Sequence, residues 1–487
     1  MGTVGIVLAL VLLMYFAYRG MNVLILAPLM ALLAVMVSGE VPVLASYTQV
    51  FMPAAGQFMV TYFPLFLLGA IFGKLMDDSG SAQAIADRIV SGLGRQRSIL
   101  AVVLSCALLT YGGVSLFVVA FAIFPIAAAL FHAAGIPKRL IPGTIAFGAF
   151  TFTMTALPGT PAIQNAIPMP FFGTTPFAAP GLGLIAGLVM FGLGMAWLSW
   201  RASRALATGE GYEPRTGVSP IPTKVVPKDL RQHAQEEAFD LMELEPRGAE
   251  PRDLPPVGLA VAPVVLVLVL NLLFVAVVIP AMDTEYLALA QYGATTVETV
   301  RGVWGITGAL AITTVVLLAF NRTRLADTRR SLGDGANASV LPIFNTASLV
   351  GFGAVVAALP AFELIRNGVL SIGADNPLIS LAVAVGTLAG ITGSASGGMS
   401  IALQNLGPAY VEMAREAGIP LELMHRVTTV ATGGLDTLPH NGAVITLLGI
   451  CGLTHRQAYG DMFVVAVLVP VAALIVLIAL GTLFGAF

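Results

Sequence analysis

The chain has 487 residues, of which 57 % are hydrophobic and only 10 % are charged, with a formal net charge of −2. A soluble domain carries about 25 % charged residues, so the composition excludes an ordinary soluble protein. The small negative charge gives no reason to expect a nucleic-acid partner. Runs of about 20 apolar residues recur along the chain, each long enough to cross a lipid bilayer. The sequence therefore predicts an all-α polytopic membrane protein rather than a barrel of alternating strands.

The apolar runs predict about ten transmembrane helices. They lie at 3–19, 22–38, 58–76, 140–170, 181–200, 257–280, 303–320, 340–361, 426–450 and 462–485. Two further apolar stretches, 98–133 and 377–413, are too long for one crossing and contain glycine and serine clusters that interrupt helices. We expect each to form a re-entrant hairpin of two half-length helices. Such irregular backbone is tolerated at membrane depth where it is buried in protein or lines a cavity.

The polar segment 201–256 separates two halves, 1–200 and 257–487, and is rich in proline, glutamate and arginine. We expect a solvated cytoplasmic linker there, with a short surface helix at 234–245. A regulatory docking site is the alternative interpretation of this segment.

Basic residues are concentrated on the cytoplasmic side of membrane proteins. Those at 95–97 and 138–139 place both ends of the first hairpin in the cytoplasm, and those at 322–330 mark another cytoplasmic loop. Counting crossings then places both termini in the periplasm and opens the second hairpin to that side. Basic residues near the second hairpin, including Arg415 and Arg426, weaken this assignment.

Four short motifs of the first half recur in the same order in the second half. The pairs are YFPLFLLGAIFG (62–73) with VLPIFNTASLVG (340–351), GGVS (112–115) with GGMS (397–400), AGIP (134–137) with AGIP (417–420), and TALPGTPAI (155–163) with DTLPHNGAV (436–444). Each half has five predicted crossings and one hairpin, so the second half is inverted in the membrane. Inverted repeats with interrupted helices are typical of secondary transporters, whose substrate site lies near the bilayer midplane. The sequence has no Walker A motif for ATP-driven transport.

Four elements of irregular backbone should meet at this midplane. We name them tip 1 (110–115), break 1 (154–165), tip 2 (392–400) and break 2 (436–442). Pro158 and Pro439 interrupt the two broken helices and free backbone groups, and the N-terminal ends of helices attract anions. Because these four elements contain no arginine or lysine, we expect a monocarboxylate rather than a multiply charged phosphate ester.

The predicted substrate-binding groups are the neutral polar side chains and the glycines of these elements. They are Thr110, Gly112, Gly113, Ser115, Thr155, Thr160, Gln164, Asn165, Ser394, Ser396, Gly397, Gly398, Ser400, Thr437, His440 and Asn441. Many neutral donors and acceptors suit a hydroxylated substrate, because a wrong substrate leaves them unpaired. For the serines, threonines and glycines, close helix packing is the alternative role. For Asn165 and Asn441, the alternative is helix capping.

Asp436 is the acid of break 2 and the predicted proton-coupling residue. A carboxylate at membrane depth is costly and indicates a function, and burial favours its protonated form. His440, one helical turn on, could share the proton or bind the substrate. Because the counterpart of Asp436 in the first repeat is Thr155, the fold does not require an acid there. A purely structural hydrogen bond is the alternative.

No cofactor, metal site or disulfide is predicted, because Cys106 and Cys451 both lie in apolar segments and suit small core positions. The chain also lacks H-E-x-x-H and G-x-S-x-G patterns, so an enzyme is not expected.

The motifs TYGGVSLFVVAF, TALPGTPAIQNAIP and GLDTLPHNGAVITLLGICGLTHRQAYGDM resemble the gluconate permease (GntP-like) family over nearly the whole chain. The resemblance implies proton symport of gluconate-type sugar acids, or of hydroxy acids such as 3-hydroxybutyrate, across a bacterial inner membrane. The family is similar to a branch of the ion-transporter superfamily, whose sodium–dicarboxylate members are dimers with Ser-Asn-Thr tips and an elevator motion. This chain lacks that triplet, which argues against sodium as the coupling ion. The elevator motion and a homodimer are implied by this resemblance alone.

We therefore predict a proton-coupled symporter for a small hydroxylated monocarboxylate, with the lipid bilayer and a second copy of the chain as its other partners. A sodium-coupled di- or tricarboxylate transporter is the first alternative. A channel is the second, and a membrane enzyme is the third.

Overall fold

The chain is helical throughout the part that the structure, a computed structural model, describes, and that part contains no strand. The described residues are 2–19, 21–212, 254–373 and 376–487. The prediction of an all-helical protein is confirmed for them. Most of the linker, including the predicted surface helix at 234–245, lies outside the described residues. Cys106 and Cys451 are both buried free thiols, in agreement with their predicted core positions.

The α-helices of the first half lie at Gly2–Tyr18, Val23–Ser38, Val43–Ala45, Met52–Asp78, Ser81–Leu93, Ser98–Tyr111, Leu116–Ala134, Ile141–Phe150, Phe152–Thr155, Ile163–Ala166, Pro168–Phe172 and Pro180–Ala207. Those of the second half lie at Val257–Leu273, Val297–Asn321, Thr328–Ala338, Val340–Ala358, Phe362–Leu370, Pro377–Thr392, Ala395–Glu416, Leu421–Leu435, Gly442–Ile450, His455–Phe463 and Val469–Phe484. In each half, a long helix and a short amphipathic helix precede a helical pair, an interrupted helix and a final long helix.

Six helical segments of the described chain are long and apolar enough to cross a membrane. They are Val43–Asp78, Pro180–Ala207, Val257–Ala281, Val297–Asn321, Thr328–Ala358 and His455–Phe484. Five shorter apolar helices accompany them, at Gly2–Ala17, Val23–Ser38, Ser98–Tyr111, Val118–Ala134 and Pro377–Thr392. These segments define a multi-pass membrane protein.

One helix continues well past its predicted end. The helix predicted to end at 200 runs on to Ala207. Residues 201–207 are mostly alanine, arginine and leucine, which are good helix formers. Arg201 also donates two hydrogen bonds to Asp461 from within the helix. The polar linker therefore begins later than the sequence predicts.

The two halves of the chain share one core. Helix Met52–Asp78 of the first half packs against Val297–Asn321, Thr328–Ala338 and Val340–Ala358 of the second half. Helix Pro180–Ala207 packs in the same way against Val469–Phe484. The apolar faces that these helices bury against one another lie within one continuous cluster of buried residues. The halves therefore do not form separate domains that could each keep their own core.

A buried carboxylate joins the ends of several helices. Asp461 is 4 % exposed and accepts hydrogen bonds from Arg139 at 2.7 Å, Arg201 at 2.7 Å and Trp197 at 3.1 Å. Arg139 also binds Glu210 through two hydrogen bonds of 2.7 and 2.8 Å. These bonds lower the pKa of the Glu210 carboxyl. The contribution of Glu210 to stability is therefore present at neutral pH and is lost as the pH falls through that lowered pKa.

We expect Asp461→Asn to lower the free energy of unfolding by about 1–3 kcal/mol, measured by thermal unfolding in detergent. We expect a smaller loss of stability than for a fully buried ion pair, because both arginines keep about a quarter of their side-chain surface exposed. The matched control is Arg330→Gln, since Arg330 is 62 % exposed and lies 3.7 Å from Asp334. Equal effects of the two substitutions would contradict the assigned role of Asp461.

Candidate functional site

Each of the four named elements contains a helix interruption. The non-helical residues are 112–115 in tip 1, 156–162 in break 1, 393–394 in tip 2 and 436–441 in break 2. Three glycines at these points have left-handed backbone that other residues rarely adopt, with φ of +91° at Gly113, +81° at Gly159 and +61° at Gly393. Pro158 and Pro439 lie in the two breaks, where a helical backbone donor would otherwise be needed.

Tip 1 lies directly against break 1. The Tyr111 hydroxyl donates a 2.7 Å hydrogen bond to the backbone carbonyl of Pro158. A Cβ atom at Gly113 would lie 2.9 Å from the ring of Pro161, and one at Gly112 would lie 2.7 Å from Val264. The two predicted glycines therefore allow close packing of the tip against its neighbours.

Tip 2 is fixed to break 2 by two predicted site residues. Asn441 Nδ2 donates a 2.7 Å hydrogen bond to the Gly393 carbonyl, and Asn441 Oδ1 accepts from the amide of Val444 at 3.1 Å. His440 Nε2 lies 2.9 Å from the carbonyl of Gly390. Because a carbonyl only accepts, this nitrogen carries the proton. Both side chains thus support the backbone around the interruption.

Several other predicted residues are engaged inside the second hairpin. Ser394 caps helix Ala395–Glu416 by accepting from the amide of Gly397 at 3.1 Å, and Ser396 lies 3.3 Å from the hydroxyl of Thr346. A Cβ atom at Gly398 would collide with the backbone of Ala389. Close approach of the two helices therefore accounts for this glycine, as the packing alternative proposed.

The two tip–break pairs meet through the helices that follow them. Helix Gly442–Ile450, after break 2, packs against Leu116–Ala134, after tip 1. The short helix Ile163–Ala166 of break 1 packs against Ala395–Glu416 of the second hairpin. Helices that belong to or adjoin the four named elements therefore pack against one another.

Three predicted binding groups are buried polar atoms without a hydrogen-bond partner in the described part of the chain. They are Thr110 Oγ1, Gln164 Oε1 and Ser400 Oγ. A buried polar group that lacks a partner costs free energy, so such groups are candidates for a ligand contact. Thr110 belongs to tip 1, Gln164 to break 1 and Ser400 to tip 2.

The remaining predicted hydroxyls mostly bind backbone. Thr155 donates to the Thr151 carbonyl at 3.1 Å, and Thr437 donates to the Ala466 carbonyl at 2.9 Å. Thr160 accepts from the amide of Ala162 at 3.3 Å. Ser115 directly precedes helix Leu116–Ala134, and its side chain does not cap that helix.

Asp436, the predicted proton-coupling residue, is half-buried and directly follows helix Leu421–Leu435.

Two fully buried residues that the sequence analysis did not assign to the site, His425 and Arg426, hold break 1 from the other half of the chain. His425 Nε2 and Arg426 Nη1 lie 3.1 and 3.3 Å from Asn165 Oδ1, and His425 Nδ1 lies 2.6 Å from Thr174 Oγ1. Asn165 Nδ2 in turn donates to the carbonyls of Thr160 and Pro176 at 3.1 and 3.0 Å. Asn165 is therefore the centre of a buried polar network.

Arg426 corrects one sequence-based expectation. Its helix was predicted to begin at 426, but it begins at Leu421, and the arginine is buried. The four named elements contain no basic residue, but Arg426 lies beside one of them and donates to the Thr155 carbonyl of break 1 at 3.3 Å. An arginine inside a membrane segment is a functional signal in itself. It was missed because the helix boundary was placed five residues late.

The long apolar helices define a multi-pass membrane protein. No family model matches the chain. The chain is 43 % identical over 488 aligned residues to the uncharacterized transporter YxjC of Bacillus subtilis (strain 168), and the alignment covers 99 % of this chain and 98 % of that protein. The chain therefore belongs to the same family as YxjC and is a membrane transporter.

We expect Asn441→Ala to lower the free energy of unfolding by about 1–3 kcal/mol, because it leaves the carbonyl of Gly393 and the amide of Val444 without their partner. The measurement is thermal unfolding of the purified protein. Asn22→Ala is the matched control, since Asn22 caps a helix through the amide of Leu24 at an exposed position. A loss of stability no larger than that of the control would show that the bond from Asn441 to tip 2 does not stabilise the protein.

Proposed function

We propose that the protein is a proton-coupled symporter of a small hydroxylated monocarboxylate, such as a gluconate-type sugar acid or 3-hydroxybutyrate. The observation that carries this proposal is the set of three buried, unpartnered polar atoms on Thr110, Gln164 and Ser400. They belong to three different interrupted elements that pack together. Neutral donors and acceptors of this kind match the hydroxyl groups of such a substrate.

The repeated order of helices supports an inverted-repeat transporter. Tip 1 with break 1 in the first half corresponds to tip 2 with break 2 in the second. In this proposal the hairpins and broken helices form the moving transport domain of an elevator. Helices 3–38 and 257–320 form the scaffold and the contact between two copies of the chain.

The coupling ion in this proposal is the proton, and Asp436 carries it. The carboxylate directly follows helix Leu421–Leu435, where the chain enters break 2. A protonated acid crosses a low-dielectric barrier at a lower cost than a carboxylate does. Sodium coupling with a di- or tricarboxylate substrate is the second candidate. Uptake that is independent of sodium and abolished by a protonophore would exclude that candidate.

We expect Asp436→Asn to abolish proton-driven accumulation of the substrate while leaving substrate exchange across the membrane. The asparagine imitates the protonated acid but cannot release a proton. Both activities are measured in proteoliposomes with radiolabelled D-gluconate or 3-hydroxybutyrate. Glu422→Gln is the control, because Glu422 is an exposed acid of the helix that directly precedes Asp436. Wild-type accumulation by the Asp436 variant would rule out the coupling role.

We expect Thr110→Val and Ser400→Ala each to weaken substrate binding about tenfold while keeping or raising the stability of the unliganded protein. Each substitution removes a buried hydroxyl that has no partner in the described structure. The measurement is the ligand-induced thermal shift over a concentration series of the acids. Thr313→Val is the matched control, since its buried hydroxyl is also unpartnered but lies in helix Val297–Asn321. Unchanged affinity in both site variants would place the site elsewhere.

A further inference from the structure

The two broken helices contain few charged residues. Segment 141–172 has no charged residue, and segment 421–450 has Glu422, Arg426 and Asp436. Glu422 is exposed, whereas Arg426 is fully buried. A guanidinium stays protonated in proteins. Arg426 therefore brings a permanent positive charge into the interior beside break 1, and Asp436 brings a carboxyl that can gain or lose a proton.

Arg426 has no N–H group left for a substrate in this arrangement. Its Nε donates to the Ala178 carbonyl at 3.1 Å, and its Nη1 donates to the Thr155 carbonyl and to Asn165 Oδ1 at 3.3 Å each. Its Nη2 donates to the carbonyls of Ala178 and Pro176 at 2.7 and 3.4 Å. These acceptors account for all five donors of a guanidinium. Arg426 thus acts as a fixed charge held by the protein rather than as a direct ligand.

All of these acceptors are neutral oxygens. Within the described chain, no carboxylate forms an ion pair with Arg426. The arginine is near enough to the Tyr111 hydroxyl of tip 1 for the two groups to interact electrostatically. An uncompensated charge in a low-dielectric interior is strongly unfavourable. The negative charge that balances Arg426 must therefore come from more distant groups or from a bound anion.

We propose that Arg426 is the fixed positive charge of the transport cycle, and that it restricts the substrate to monoanions and makes proton coupling obligatory. This inference rests on the proposed function. The empty carrier is neutral with Arg426 positive and Asp436 ionised. The loaded carrier is again neutral with Arg426 positive, Asp436 protonated and one monoanion bound. Substrate alone leaves a net charge of −1, and a proton alone leaves +1, so neither form crosses readily.

The other titratable groups around break 2 do not change the net charge of the empty or the loaded carrier. His440, His455 and Tyr459 each bind a backbone carbonyl, those of Gly390, Pro439 and Thr437 respectively. A neutral imidazole or phenol suffices for each of these bonds. Helices Pro377–Thr392 and Val469–Phe484, which pack against helix Leu421–Leu435, contain no charged residue. Helix Ala395–Glu416, which also packs against it, carries Glu412, Arg415 and Glu416, and all three are exposed.

The first test uses the wild-type protein in proteoliposomes. One proton and one monoanion carry no net charge, so uptake of D-gluconate or 3-hydroxybutyrate should follow an imposed pH gradient. A potassium–valinomycin membrane potential of either sign should change the uptake rate less than twofold. The dianion D-glucarate should compete at least tenfold more weakly than D-gluconate. Uptake driven by the potential, or equal competition by the dianion, would overturn the inference without any variant.

The second test separates the charge of Arg426 from its hydrogen bonds. Arg426→Gln should reduce substrate exchange at least tenfold, whereas Asp436→Asn should retain exchange. Arg426→Lys keeps the charge but has fewer donors, so it should retain clearly more exchange than Arg426→Gln. Size-exclusion profiles and thermal midpoints confirm that the variants are folded. Equal loss in folded lysine and glutamine variants would assign Arg426 a purely structural role and overturn the inference.

The two proposals fail in different ways. A wild-type protein that neither binds nor accumulates any hydroxylated monocarboxylate would overturn the proposed function and, with it, this inference. Accumulation of a monocarboxylate that depends on membrane potential, or that persists unchanged in Arg426→Gln, would overturn the charge balance alone.

Discussion

The network around Asn165 holds the broken helices together. Two consecutive residues of one helix, His425 and Arg426, contact the same amide oxygen in the opposite half of the chain. Buried polar networks of this kind are stabilising only when their members are satisfied, since the low dielectric makes an unpaired group costly. The helix that contacts break 1 through these residues also leads into break 2 at Asp436. A single helix therefore connects the two breaks.

The need to satisfy the backbone groups that an interrupted helix leaves unpaired explains how the polar residues around the interruptions divide. An interrupted helix exposes carbonyls and amides that water cannot reach, so protein groups must bind them. Tyr111 binds the carbonyl of Pro158, and Asn441 binds that of Gly393. Such residues support the interruptions, whereas Thr110 and Ser400 keep unpartnered hydroxyls in the described structure. The polar residues of the site thus serve two roles that composition alone does not distinguish.

The interruptions themselves were predictable because they follow from local chemistry. Pro158 and Pro439 cannot donate a helical hydrogen bond, and glycines at 113, 159 and 393 permit left-handed backbone. Arg426 was not predictable in the same way. Its role depends on where its helix begins and on which segment of the opposite half lies beside it. The extra length of helix Pro180–Ala207 has a local cause in its helix-forming residues and a distant one in the bonds from Arg201 to Asp461.

The sequence by itself determined the membrane environment, the helical class and the places where helices stop, because these depend on hydropathy and on the covalent properties of proline and glycine. Membership of the YxjC family follows from the sequence as well. Only the tertiary structure decided which polar side chains have hydrogen-bond partners. It also decided that Arg426 lies fully buried beside break 1. Hydrogen-bond partners that are hundreds of residues apart depend on packing between the halves, which no local pattern records.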